Sequence, residues 1–184
     1  GLTREEITET LKKFAYAAEF NISVPTSSLI PEGRTVYIRQ FPRYLGDPMH
    51  NHCDAMEINI VLQGELIHIL DENVISLGTG DICFIAPDVS HITRTYGDDS
   101  VVLTILIHRD RINAVFNDIK ESDSILISFL KKIIYGRTFL PFIVCRTGFD
   151  KDIAGLIIDL TERQDIDNPL IDQFLLREIG RAHV

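Results

Sequence analysis

The spacing of apolar positions along the chain changes period twice. Thr3-x-x-Glu6 is a capping-box pattern, and Ile7, Leu11, Phe14 and Ala18 follow it at helical spacing, which predicts an amphipathic N-terminal helix. From Val36 to Ile107 the pattern becomes short β-rich runs: Val36–Phe41, Glu57–Gln63, Glu65–Leu70, Val74–Leu77, Ile82–Ile85, Ile92–Tyr96 and Val101–Ile107. Gly64, Asp71 to Asn73, Gly78, Gly80 and Gly97 to Asp99 punctuate them, and strands this short and frequent predict an antiparallel sandwich or barrel.

After His108 the helical period returns. Ile112, Val115, Phe116 and Ile119 form one stripe, and Ile125, Leu126, Phe129, Leu130, Ile133 and Ile134 a second, wider one. Ile153, Leu156, Ile157 and Leu160 predict a third helix; Asn168 as cap before Pro169 opens a fourth through Ile171, Phe174 and Leu175. The expected fold is therefore mainly β with a helical appendage. It divides into an N-terminal helix and arm over 1–35, a β-barrel over 36–108, and about four helices over 109–184. The later apolar stripes exceed what one barrel face easily covers, so a helix-mediated homodimer is expected.

Composition narrows the classes. With 184 residues and 45% hydrophobic content the chain can bury a core of its own, as one unit with an appendage. No apolar run approaches the ~20 residues a membrane helix needs, and no basic-then-apolar leader pattern opens the sequence. Cys53, Cys83 and Cys145 are an odd set without C-x-x-C spacing, which suits reduced thiols in a cytoplasmic protein. Residues 1–108 hold 7 Lys and Arg against 15 Asp and Glu, and residues 109–184 hold 11 against 12. No basic stripe exists for a phosphate backbone, so these residues alone are not expected to bind nucleic acid.

Chemistry concentrates in two segments, Gly46-x3-His50-x-His52-x4-Glu57-x6-Gly64 and Gly80-Asp81-x5-Pro87-x3-His91. On an extended strand residues two apart share a face, so His50 and His52 can both look inward; Cys53 then turns away. If Glu57 faces inward so do Asn59 and Val61, and if His91 does so do Thr93 and Thr95. His68 sits mid-strand with either orientation open, while His108 and His183 read as surface or helix-end residues. Arg39 and Arg43, near the first barrel strand, could pair an anionic effector.

In order, spacing and glycine punctuation the two segments resemble the motifs of the cupin superfamily. The blocks His50-Asn51-His52, Glu57 through Glu65, Leu77-Gly78-Thr79-Gly80-Asp81 and Ile85 through His91, followed by helices, resemble more narrowly the N-terminal ligand-binding and dimerisation domain of an AraC-type transcriptional regulator. The resemblance implies a jelly-roll-like cupin barrel, in which His50, His52, Glu57 and His91 would converge on one interior point. Three imidazoles and a carboxylate suit a divalent first-row metal such as Zn, Fe, Mn or Ni. The same four side chains, with Asn59 and Thr93, would equally serve as hydrogen-bonding groups around a sugar or other hydroxylated effector. Satisfied core polar groups are the third reading.

The resemblance also implies two helix-turn-helix units, yet nothing in residues 109–184 reads as a recognition helix. The sequence therefore points to a sensing part, not an enzyme, with DNA reached only through a helix-turn-helix domain beyond these residues. A free-standing metal-dependent cupin enzyme of dioxygenase or isomerase type is the alternative.

Overall fold

A computed structural model describes residues 22–25, 28–29, 47–70, 73–95, 97, 99–112, 125–135, 140–146 and 155, and the backbone of 36–40. Its strands are β1 (Ile22–Ser23), β2 (Val36–Gln40), β3 (His50–Asn51), β4 (Ala55–Gln63), β5 (Glu65–Leu70), β6 (Asn73–Gly78), β7 (Asp81–Ile85), β8 (His91–Arg94), β9 (Val101–His108) and β10 (Phe142–Arg146). They form two five-stranded sheets, β1-β3-β8-β5-β6 and β10-β7-β4-β9-β2. All pairings are antiparallel except that of β1 with β3.

Alternation decides which side chains enter the space between the sheets. Met56, Ile58 and Ile60 of β4, Ile82 and Phe84 of β7, and Leu103, Ile105 and Ile107 of β9 share one core cluster with helix α1 (Ile125–Tyr135). Their neighbours Glu57, Asn59 and Val61, Cys83 and Ile85, and Val102, Thr104 and Leu106 turn to the opposite face, toward the other sheet. Val61, Cys83, Ile85 and Val102 there pack with Leu66, Leu70 and Leu77 of β5 and β6. Both faces of the second sheet are thus dry, one against the facing sheet and one under α1. The turn from β4 to β5 depends on Gly64, which has φ +79°; a Cβ there would stand 2.6 Å from Ser100 Oγ.

Two expectations change. The tail is not helical throughout: Phe142–Arg146 is a strand, pairing with β7 from Phe142 opposite Ile85 to Arg146 opposite Asp81. Its β-branched Ile143 and Val144 and its position at a sheet edge explain the preference. Secondly, Leu126, Phe129, Leu130 and Ile133 are buried against the chain's own sheet, which leaves Ile125, 53% exposed, as the free part of that stripe. At this helix the stripe packs largely on the chain's own sheet, and the expected dimerisation rests on other surface. The expected N-terminal helix, the stripe beyond Ile112 and the third and fourth helices lie outside the described residues, as do Arg43, His183 and the side chain of Arg39.

Candidate metal and ligand site

Four elements bring the site together. β3 supplies His50, the short connection after it His52, β4 Glu57, and β8 His91. His50 and His91 are direct antiparallel partners in one sheet, while Glu57 comes from the sheet opposite. The Pro87–Asp88 turn ahead of β8 is fixed by Asp88, which adopts φ 66° and donates its N–H to the His52 carbonyl at 2.9 Å. The two motif segments are thereby tied to each other beside the residues they contribute.

All four side chains are buried, and one nitrogen or oxygen from each lies within 4.8 Å of the others. Each histidine has Nδ1 against a backbone carbonyl: His50 against Pro48 at 2.9 Å, His91 against Val89 at 2.9 Å, and His52 against Val24 at 3.2 Å. A carbonyl only accepts, so each Nδ1 carries the proton, and in the neutral ring each Nε2 keeps its lone pair. Glu57 Oε1 accepts from Asn59 Nδ2 at 2.9 Å, and Asn59 Oδ1 accepts from Thr104 Oγ1 at 2.9 Å. Its Oε2 is left 2.9 Å from His91 Nε2 and 3.2 Å from His52 Nε2.

Close as they are, Glu57 Oε2 and His91 Nε2 are not aligned as a hydrogen bond, and both are buried without another partner. Two acceptor atoms at that distance, out of water, repel unless a cation lies among them. A proton on His91 is one remedy. Burial works against that charge, but the Glu57 carboxylate outweighs it and raises the His91 pKa. Burial likewise opposes charge on Glu57, yet the His91 and His52 imidazoles hold its carboxyl well below the usual range. His50 is pushed down, by burial first and by His91 second. A divalent cation is the other remedy, and the donor set fits it: three Nε2 atoms and one carboxylate oxygen, each held from behind by a hydrogen bond.

Beside this cluster a cavity of about 160 Å³ lies between the segment at Ile22–Leu29 and β9. His50 and His52 form part of its wall, with Thr104 and Leu106. Neither Asn59 nor Thr93 lines it. Asn59, fully buried, is committed to Glu57 and Thr104, and Thr93 Oγ1 lies 3.3 Å from His68 Nδ1. Thr95 is buried and is not in the wall either. Thr104, which no motif in the sequence singles out, reaches it because it pairs with Asn59 across β4 and β9. His68 proves to face inward, fully buried, its ring centroid 6.1 Å from that of His91. Cys53 is exposed, and His108 is half-buried beside Asp54 and Asp110.

Two packed sheets with three histidines and a glutamate buried together are the arrangement that the cupin resemblance implies. Residues 41–108 match the cupin domain family. The fold is shared more widely with ToxT from Vibrio cholerae. An apo variant structure superposes with a TM-score of 0.54 at 8% identity over 79% of this chain, and the wild-type protein with unsaturated fatty acid bound does so with 0.51 at 7% over 79%. The chain spans about half of those proteins, 54% and 51% respectively. A cupin protein from Bacteroides fragilis is 31% identical over 40% of this chain and 64% of its own, with a TM-score of 0.34. No curated protein sequence matches. The match to the cupin domain family agrees with the cupin motifs read from the sequence, and ToxT shares the fold.

Proposed function

We propose that the protein is the effector-sensing, dimerising regulatory domain of an AraC-type transcription factor, binding a small molecule in the cupin barrel without converting it. The observation that carries this reading is the cavity beside the buried cluster, walled in part by the N-terminal arm. β1 pairs with β3 directly opposite His50, and Val24 accepts the hydrogen bond that orients His52. A molecule in the cavity thus touches the arm and the site together, and can shift the arm's equilibrium by binding one arrangement better than another. ToxT, which has the same fold, has been crystallised with a fatty acid.

In this reading His50, His52, Glu57 and His91 would hold a divalent transition metal, Zn, Fe, Mn or Ni, which would supply a Lewis acid for an oxygen or nitrogen of the effector. Asn59 keeps the Glu57 carboxylate turned inward, and the Pro48, Val24 and Val89 carbonyls keep the histidine lone pairs pointed there. The domain would work in the cytoplasm as a homodimer and reach DNA through helix-turn-helix units outside these 184 residues. No helix among the described residues is long and apolar enough to cross a membrane.

The test is footprinting of upstream DNA by the product of the complete coding sequence, with compounds first selected for raising the melting temperature of this chain. Occupancy should change with such a compound, and the compound should be recovered intact. Sedimentation of the same preparations should give a dimer. The complete ligand set also favours a metal-dependent cupin enzyme, and conversion of the compound with no effect on DNA occupancy would establish that reading instead.

A further inference from the structure

His52 is held differently from the other two histidines of the cluster. His50 and His91 each have Nδ1 against the carbonyl two residues earlier, a contact that their own segments supply. The carbonyl against His52 Nδ1, at 3.2 Å, belongs to Val24, 28 residues away on the arm. A carbonyl only accepts, so the ring donates to it whatever its charge, and Nε2 is the nitrogen left 3.2 Å from Glu57 Oε2.

The arm that carries Val24 is lightly attached. β1 is two residues long, exposed, and parallel to β3, the pairing that is slightly less stable per residue. Ile22 donates its N–H to the Met49 carbonyl at 3.1 Å and Val24 donates to the Asn51 carbonyl at 2.8 Å, so the arm grips the backbone on both sides of His50. Farther along, Leu29 packs on Ala55 and Leu106. A short edge pairing with few apolar contacts opens for a small part of the free energy of global unfolding. When it opens, His52 loses the bond that orients it, while His50, Glu57 and His91 keep theirs.

Resting on the reading that these four side chains hold a divalent cation, we propose that cation binding and arm docking are coupled through His52, the cation fastening the arm and the docked arm tightening the cation. A hydrogen-bond partner behind a metal ligand is worth about 10–100-fold in affinity. By linkage, whatever factor the docked arm adds to cation affinity, a bound cation adds to arm docking. The arm walls the cavity, so cation occupancy also decides how firmly that wall is in place.

The experiment measures both sides of the coupling with zinc as the probe. Zinc affinity is determined by competition with a chromophoric chelator for the parent, for Val24→Pro, which removes the N–H that docks the arm, and for Val24→Ala, which keeps both backbone groups. Hydrogen exchange of the Ile22 and Val24 amides is followed by NMR in the parent, zinc-free and zinc-saturated, with β6 at the opposite edge of the same sheet as the control. Val24→Pro should bind zinc about 10–100-fold more weakly than the parent and Val24→Ala close to the parent. Zinc should slow the two arm amides by the factor that Val24→Pro loses, and β6 by much less. The exchange measurement needs no variant, so the test stands if the proline disturbs the fold. Arm amides that exchange equally fast with and without zinc would overturn the proposal, as would parental affinity in Val24→Pro, equal losses in the two variants, or a parent that binds no zinc. DNA occupancy that responds to an organic compound while zinc leaves the arm amides unchanged would sink this inference and leave the sensing function standing. Zinc fastening the arm, with DNA occupancy indifferent to zinc and to every bound compound, would do the reverse.

Discussion

His50 and His91 face each other across the β3–β8 pair with ring centroids 4.3 Å apart, and each gives its Nδ1 proton to the carbonyl two residues before it. Equivalent local geometry on two antiparallel partners sends both Nε2 atoms toward the same place, to which His52 and Glu57 are also directed. Metal content of protein purified without a histidine tag or chelator should therefore approach one divalent ion per chain. His91→Ala should abolish it while far-ultraviolet circular dichroism stays unchanged. Full metal retention by that variant would remove His91 from the ligand set.

Asn59 lies outside the cavity wall but holds one oxygen of Glu57, and Thr104 holds Asn59 in turn. A hydrogen-bond partner that orients a metal ligand from behind is worth about 10–100-fold in metal affinity. Asn59→Leu should weaken binding by that factor in competition with a chromophoric chelator, and Thr104→Val by less. Equal affinity in the Asn59 variant and the parent would show that Glu57 is positioned by something else.

Phe129 is fully buried under the outer face of the second sheet, among Met56, Phe84 and Ile105. Truncating a core phenylalanine costs about 3–5 kcal/mol, so Phe129→Ala should lower the unfolding free energy by that amount in urea. The loss should be the same at protein concentrations tenfold apart, because the contact is within one chain. A loss confined to the dilute sample would mean that the helix is stabilised by a second copy.

Much of the site is legible in the sequence because polar residues mark a buried face that hydrophobicity cannot. Both faces of β4 are dry, and it is Glu57 and Asn59, in step with one another, that identify the inward row. The same logic leaves the orientation of His68 open. Ile67 and Ile69 lie on one side of β5 and Leu66 and Leu70 on the other, so both rows read as core. Thr104 is hidden for a different reason: its role follows from the β4–β9 register, which no local pattern encodes. β10 does leave a signal in Pro141 followed by β-branched Ile143 and Val144, but five residues between helical stripes are too few to stand out from them. The cavity's apolar walls come partly from the Ile22–Leu29 segment, and the approach of that arm to β3 and β9 is a long-range fact of the fold.

His68 supplies a prediction independent of any metal. It is fully buried with Nε2 unpaired, and burial, reinforced by the nearby His91, pushes its pKa down to about 3. In the unfolded chain a histidine titrates near pH 6.5. Above that value both states are neutral there and His68 adds no pH dependence. As the pH falls from about 6.5 toward 3, the unfolded state takes up a proton that the folded state refuses, so stability is lost across that window. Between pH 7 and pH 5 the loss attributable to this one group is about 2 kcal/mol. His68→Leu removes the titration and an unsatisfied buried nitrogen together, so the variant should match or exceed the parent at pH 7. Urea denaturation at pH 7 and pH 5 should then show the parent losing about 2 kcal/mol more than the variant. Parallel losses in the two proteins would mean that His68 accepts a proton while folded, and that the interior around it is wetter than its burial implies.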